Sequence, residues 1–194
     1  MPISYTNRKG QKYFLHKRKD KAGKIRYHCS LKSEGDLATA VPEGFEIYEH
    51  PSGKVYCRRI PRQIIRSEEK AAIEYNLKLY TDLDSFLIDV TKNMIVVYTP
   101  NVELDDFDQI LVGLSRGLSA DNRQEISRYV DYEAAMRFVL VDKKERAFVA
   151  QRFCYLGSID DWIDISEPGK LADLARVYLP HLGKDSYFDL HLYS

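Results

Sequence analysis

The sequence repeats one local pattern four times: two short runs of strand-forming residues on either side of a polar turn. These pairs lie at residues 12–30, 45–59, 86–98 and 136–155. Runs rich in β-branched and aromatic residues predict strands, and turns of this length join neighbouring antiparallel strands. We therefore expect antiparallel hairpins, not the parallel pairs of βαβ units.

Three segments place apolar residues at the spacing of one helix face. In the first, Ser67 is the predicted N-cap, and the apolar stripe consists of Ile73, Leu77 and Tyr80. In the second, residues 104–114, the pattern weakens into a polar run at 119–124, where we expect a loop or an irregular helix. The third ends at Pro180 and carries Leu171, Leu174, Ala175 and Tyr178. Hairpins joined by helices predict an α+β fold.

The last third of the chain supports two finer predictions. Residues 136–141 are almost continuously apolar, which predicts a central strand buried on both faces. Asp160 and Asp161 follow Ser158 and suit the first turn of a helix, and the single tryptophan, Trp162, is expected in the core.

Charge divides the chain into two opposed regions. The 194 residues carry 29 basic and 29 acidic side chains, so the formal net charge is zero. Residues 1–66 hold 15 basic against 6 acidic side chains, a net charge of +9, and residues 67–194 hold 14 against 23, a net charge of −9. We predict a small basic β-hairpin region at 1–62 and an acidic α+β region at 63–194.

Composition also indicates a compartment. No apolar run approaches the roughly 20 residues that a membrane helix needs, so we expect no membrane partner. The first residues lack the apolar segment of a signal peptide. The cysteines, Cys29, Cys57 and Cys154, form no C-x-x-C pair and fit a reducing compartment, which predicts a cytoplasmic protein.

Three stretches of the chain resemble a known family. They read YTNRKGQKYFL at 5–15, PEGFEIYE at 42–49 and GSIDDW at 157–162. Together they resemble a family of uncharacterised bacterial proteins of about this size. The resemblance covers most of the chain and implies a shared fold, and it brings no established activity, cofactor or catalytic residue with it.

The cation-rich first hairpin is the strongest functional signal. Residues 8–32 contain ten basic side chains against a single acid, Asp20, with aromatic residues between them. Such a ribbon can lay cations along phosphates while aromatic rings stack on unpaired bases, and a β-ribbon can also enter a duplex major groove. The candidate phosphate-binding residues are Arg8, Lys9, Lys12, Lys17, Arg18, Lys19, Lys24 and Arg26, and the candidate stacking residues are Tyr13 and Tyr27.

The same cations are compatible with two further roles. Exposed lysines protect the edge of a sheet from pairing with other chains. Alternatively, the basic region docks on the acidic region of its own chain or of a second copy, which would make the protein an interaction module that oligomerises through opposite charges. The leading hypothesis remains a non-enzymatic binding or adaptor protein that engages a polyanion, possibly nucleic acid.

A zinc site is an alternative use of the first 60 residues. His16, Cys29, His50 and Cys57 could supply four ligands only through one particular pairing of the hairpins. Adjacent His28 and Cys29 should point to opposite faces of a strand. The spacings match no zinc knuckle, so we expect partly buried thiols and surface histidines, with no metal and no cofactor.

A metal-dependent hydrolase is the runner-up function. Asp160, Asp161 and Asp164 form one carboxylate cluster, and a second lies at 104–108. Convergent carboxylates bind catalytic divalent metals. No catalytic motif accompanies the clusters, and Cys154 lies in an apolar segment where a thiol is unreactive. The sequence therefore assigns no catalytic residue and leaves open whether the protein is an enzyme.

Overall fold

The computed structural model describes residues 1–83, 85–101, 130–156 and 159–191. The chain divides into two compact units. Unit 1 contains Met1–Pro61 and, among the later described residues, Val130 and Asp131; unit 2 contains the described residues of Arg62–Leu104 and Tyr132–Ser194. The helix and the loop that we expect at 104–114 and 119–124 lie outside the described residues.

The described residues of unit 1 form two small antiparallel sheets. The first has the order β1-β2-β3, with β1 at Ser4–Thr6, β2 at Lys12–Lys19 and β3 at Ile25–Ser30. The second pairs β4, Phe45–Glu49, with β5, Val55–Arg59. Both hairpins predicted in this region are confirmed. The three-residue β1 was not predicted, because so short a strand shows no period-two alternation.

One face of the first sheet packs against the second sheet, through side chains of odd number. The Tyr27 ring centroid lies 6.4 Å from that of Phe45. The Tyr5 hydroxyl donates a 3.0 Å hydrogen bond to Glu49 Oε2. Leu15, on the same face of β2, is only 1% exposed. This inner face holds the small apolar core of unit 1, so the even-numbered side chains of β2 and β3 form its outer face.

Unit 2 is an antiparallel sheet with helices on one face. Its strand order is β10-β9-β8-β7-β6, and β11 pairs with β9. The elements in chain order are α1 (Ser67–Tyr80), β6 (Leu87–Thr91), β7 (Met94–Pro100), β8 (Tyr132–Asp142), β9 (Ala147–Leu156), β10 (Ile159–Asp164), β11 (Gly169–Lys170) and α2 (Leu171–Tyr178). Two short 3-10 turns follow, Leu179–His181 and Asp185–Tyr187. The α+β fold of antiparallel hairpins and helices is confirmed.

The helices of unit 2 bury the stripes that their sequences predict. Ile73 and Leu77 of α1 are fully buried. α2 contributes Leu171, Leu174 and Ala175 to the same apolar cluster. No helix among the described residues is both long and apolar enough to cross a membrane.

The start and the end of α1 differ from the prediction. Arg66, not Ser67, is the N-cap, and its backbone N–H donates a 2.8 Å hydrogen bond to Glu69 Oε2. Glu69 therefore satisfies one of the amides that a helix start leaves without an intrahelical partner. Tyr80 is exposed at the last turn, because the apolar cluster ends near Leu77.

β8 is central, as predicted, since it lies between β7 and β9. Its burial nevertheless alternates: Met136 and Phe138 are fully buried, whereas Arg137 and Val139 are only partly buried. The prediction that both faces are buried is wrong, because the described helices pack on one face of the sheet.

Residues 159–164 form a strand, and the predicted first turn of a helix is wrong. β10 pairs along β9 as far as Asp164, which lies opposite Gln151. Trp162 is half-buried on the face opposite the helices, and its ring makes an edge contact with Phe153 at 5.4 Å. The Arg137 guanidinium lies 4.3 Å from the Trp162 ring centroid. Pairing with the long β9 overrides the local helix signal.

A buried arginine ties the end of the described chain to the sheet. Arg152 of β9 is 6% exposed. Its Nε donates to the Leu190 carbonyl at 2.6 Å, and its Nη2 donates to the Phe188 carbonyl at 2.9 Å. A buried charge is tolerated only when hydrogen bonds replace its hydration, and here main-chain carbonyls do so.

Candidate polyanion-binding surface

The outer face of the β2–β3 ribbon carries cations and rings on one surface. Directly opposed residues of antiparallel strands share a face, and here His16 lies opposite His28 and Arg18 opposite Arg26. Lys12 and Phe14 continue the same face along β2. We name this set the outer strip; its members are Lys12, Phe14, His16, Arg18, Arg26 and His28.

Two stacked histidines form the centre of the outer strip. Their ring centroids are 5.2 Å apart and their planes differ by 22°. His16 is 7% exposed, and its Nε2 lies 2.9 Å from the Lys32 carbonyl oxygen. His28 is exposed, so a fixed ring supports an accessible one. Partial desolvation, aided by His16 and Arg18, lowers the pKa of His28, and the ring is therefore mainly neutral at pH 7.

Arg18 and Arg26 are brought together by a well-defined turn. The turn aspartate, Asp20, accepts hydrogen bonds from the backbone N–H groups of Ala22 at 3.0 Å and Lys24 at 2.9 Å, and from Arg26 Nε at 3.1 Å. The hydrogen bond from Lys24, followed by that from Arg26, lowers the pKa of Asp20. One carboxylate thus orders a turn that places Arg18 and Arg26 opposite each other across the two strands and leaves Lys24 exposed.

An open pocket of about 380 Å³ lies at the free end of the ribbon. Its walls are Lys17, Arg18, Lys19, Ile25 and Asp36. Within the described part of the chain, none of these three cations forms a salt bridge. Three cations around one carboxylate give the pocket a net positive charge, which suits an anionic group such as a phosphate.

The predicted stacking residues lie on the inner face. Tyr27 packs against Phe45, and half-buried Tyr13 lies opposite Tyr5 of β1. Their rings contribute to the packing of the two sheets. The rings on the outer face are instead those of Phe14, His16 and His28. Sequence reasoning missed this role, although the even numbering of the residues from Lys12 to Arg18 would have placed them on one face.

The side chains of Arg8 and Lys9 form hydrogen bonds and an ion pair within unit 1. They lie in the turn between β1 and β2. Arg8 Nη1 donates to the Val130 carbonyl at 2.9 Å, and Nη2 donates to the Pro51 carbonyl at 2.8 Å. Lys9 forms an ion pair with Asp131, and this hydrogen bond lowers the pKa of the Asp131 carboxyl. Both cations hold the β1–β2 turn in place and lie apart from the outer strip.

The residues of the zinc alternative do not converge. His16 lies on the outer face, whereas Cys29 lies on the inner face near Cys57. Burial, and secondarily Cys57, raises the pKa of the Cys29 thiol to about 11, and burial raises that of Cys57. His50 Nδ1 lies 2.9 Å from the Ser52 hydroxyl oxygen. The described residues contain no group of three or more His, Cys, Asp or Glu side chains that could hold a metal ion.

The carboxylates of the hydrolase alternative are spread along β10. Strand alternation places Asp160 and Asp164 on the face of Trp162, and Asp161 on the other face. All three side chains are exposed, and Asp164 Oδ1 accepts a 2.5 Å hydrogen bond from Gln151 Nε2. A metal-dependent hydrolase needs these oxygens to meet at one point, so this part of the structure does not support it.

Comparison with known proteins finds no matching family model, no matching curated protein and no matching solved structure. The resemblance to a family of uncharacterised bacterial proteins therefore stays a prediction.

Proposed function

We propose that the protein is a non-enzymatic binding or adaptor protein that engages a polyanion, nucleic acid, through its β2–β3 ribbon. The observation that carries the proposal is the open pocket at the free end of the ribbon, with Lys17, Arg18 and Lys19 in its wall. These cations form no salt bridge with any described residue, so a ligand need not displace an internal partner.

The distribution of cations along the ribbon favours an extended anion over a single small ion. The pocket opens on the same ribbon that carries exposed Lys12, Lys24 and Arg26. Phosphates in a nucleic acid repeat at short intervals, and each one neutralised by Lys or Arg releases condensed counterions. Each further cation of the ribbon that meets a phosphate therefore adds affinity, whereas a small anion occupies one site only.

The protective role of the cations is compatible with binding. β3 is an edge strand, and exposed Ile25 lies on it beside Arg26. Charges there discourage pairing with other chains. Protection alone predicts no affinity for nucleic acid, so a binding experiment separates the two roles.

The alternative partner of the basic ribbon is the acidic surface of a second copy of the chain. The exposed carboxylates of Asp160, Asp161 and Asp164 lie on β10, at an edge of the unit 2 sheet. If this acidic edge captures the basic ribbon, the protein will oligomerise at low salt and dissociate as salt screens the charges. Sedimentation velocity across a salt series tests this alternative, and a mass that stays monomeric at low salt contradicts it.

The proposal includes a cytoplasmic location. Cys29, Cys57 and Cys154 are free thiols, which suits a reducing compartment. Nucleic acid is accessible there. Fractionation of cells with an antibody against the protein tests this part separately.

A salt series tests the proposed function. Fluorescence anisotropy of a labelled DNA or RNA oligonucleotide should show binding at low salt that weakens steeply with KCl. Replacing Lys17, Arg18 and Lys19 by alanine should weaken binding and reduce the slope of log K against log salt by about 2, since each phosphate contact to a single strand contributes about 0.7.

The matched control replaces three exposed lysines elsewhere. Lys54, Lys143 and Lys144 are exposed, and changing them to alanine lowers the net charge equally. This variant should keep the original slope. Absence of binding at low salt, or an equal loss in both triple variants, would overturn the proposal.

A further inference from the structure

Along β2, the outer strip places two rings between two cations. Lys12, Phe14, His16 and Arg18 follow one another at every second residue of β2. At about 3.4 Å per residue, the strip is roughly 20 Å long from Lys12 to Arg18. That length accommodates about four nucleotides, the lower end of the site sizes known for single-strand-binding folds.

The exposed ring at the centre of the strip is preorganised. His28 rests on His16, whose ring is 7% exposed and fixed against the Lys32 carbonyl. A ring that is already held in place loses little conformational freedom when a base stacks on it. Phe14 provides a second ring on the same face, with the Lys12 ammonium 5.5 Å from its centroid.

The guanidinium groups continue the strip immediately beyond the rings. Arg18 and Arg26 are opposed across the two strands, and they form the next pair on the same face after His16 and His28. A phosphate that binds these groups would leave its base within reach of the His28 ring. Cations beside a stacking platform are the combination that single-strand-binding proteins use.

Resting on the proposed function, we infer that the ligand is single-stranded nucleic acid, with an unpaired base stacked on His28 and phosphates held by Arg18, Arg26 and Lys12. In a duplex the faces of the bases are covered by their neighbours, so the rings of the strip would have nothing to stack on. A ribbon that reads a duplex groove needs side chains that hydrogen-bond to base edges, and the phenyl ring of Phe14 on this strip has no hydrogen-bonding atom.

The test compares three labelled probes with the full-length protein at equal salt: an oligothymidylate, a duplex of the same length and heparin, which has no bases. The oligothymidylate should bind most tightly. His28→Ala should weaken its binding about tenfold, within the range for loss of one base–aromatic stack, and should leave heparin binding unchanged. His28→Phe should retain most of the affinity, because it keeps a ring.

His191→Ala is the matched control, since His191 is also exposed. It should change no affinity. Failure of all three probes to bind would refute the proposed function itself. Binding of the duplex or of heparin as tightly as the oligothymidylate, or an unchanged affinity in His28→Ala, would overturn this inference alone.

Discussion

Unit 1 and unit 2 are both built from antiparallel strands, yet they bury different kinds of side chain. Unit 2 has a contiguous apolar cluster in which Leu77 and Phe138 are fully buried. In unit 1 the buried apolar side chains among the described residues are only Leu15, Ala38, Pro51 and Val55. Unit 1, with few buried apolar side chains among its described residues, carries the proposed binding surface, and the larger apolar cluster lies in unit 2.

In unit 1, hydrogen bonds between turns contribute to stability beside the small apolar core. Asn7 is 4% exposed, and its Nδ2 donates to the Gly53 carbonyl at 2.6 Å and to Gln11 Oε1 at 3.0 Å. Arg8 adds hydrogen bonds to the Pro51 and Val130 carbonyls. Small sheets bury a small fraction of their surface, so such contacts matter more there than in unit 2.

The largest loss of stability is expected from a substitution in the core of unit 2. Phe138→Ala removes a fully buried ring and should lower the free energy of unfolding by about 3–5 kcal/mol. Urea unfolding followed by the fluorescence of Trp162, which lies in unit 2, measures it. The control Val177→Ala, at a residue that is 52% exposed, should change stability by less than about 0.5 kcal/mol. A loss below about 1 kcal/mol for Phe138→Ala would contradict the contrast between the units.

A smaller effect, confined to unit 1, is expected from Asn7→Ala. It leaves the Gly53 carbonyl without its donor and should cost about 1–3 kcal/mol. Hydrogen–deuterium exchange should rise in the peptides of β4 and β5, while the Trp162 unfolding transition stays unchanged. Asn101→Ala, at an exposed residue, is the control. A shift of the Trp162 transition instead would show that the two units unfold together.

The smallest effect is a pH dependence centred on His28, whose imidazole shares its face with His16, Arg18 and Arg26. Its folded pKa lies below the ordinary value of 6.5. Between the folded pKa and the unfolded value of 6.5, the unfolded chain binds more protons than the folded protein. The contribution of neutral His28 to the free energy of unfolding is therefore fully present above pH 6.5 and is lost as the pH falls through this interval. A bound phosphate favours the imidazolium form of His28. The affinity for nucleic acid should therefore rise a few-fold as the pH falls over the same range.

Anisotropy and urea titrations at a series of pH values measure both trends. In the His28→Phe variant, the parts of the pH dependence of stability and of affinity that come from His28 should disappear. Identical pH profiles for the two proteins would show that His28 neither contacts the ligand nor couples to folding.

The sequence predicted the parts of the fold that depend on local patterns. Strand-forming runs and turn residues located the hairpins at 12–30, 45–59, 86–98 and 136–155, and apolar spacing located the buried faces of α1 and α2. β10 escaped prediction because Ile159–Asp164 lacks clean alternation, and it becomes a strand only by pairing with β9.

The candidate surface was predicted as a region but not as a face. Alternation shows that Tyr13 and Phe14 lie on opposite faces of β2, but not which face is open. That depends on the docking of β4 and β5, where Phe45 meets Tyr27. The engagement of Lys9 by Asp131 joins residues 122 positions apart, a separation that no local pattern reveals.

The acceptors of Arg152 have a consequence for the order in which the chain folds during synthesis. The carbonyls of Phe188 and Leu190 do not exist until translation has passed residue 190. Until then β9 carries a guanidinium that cannot be buried at low cost. The hairpins at 12–30 and 45–59 involve only early, local contacts and can form sooner. A nascent chain therefore displays its cationic ribbon before unit 2 is complete.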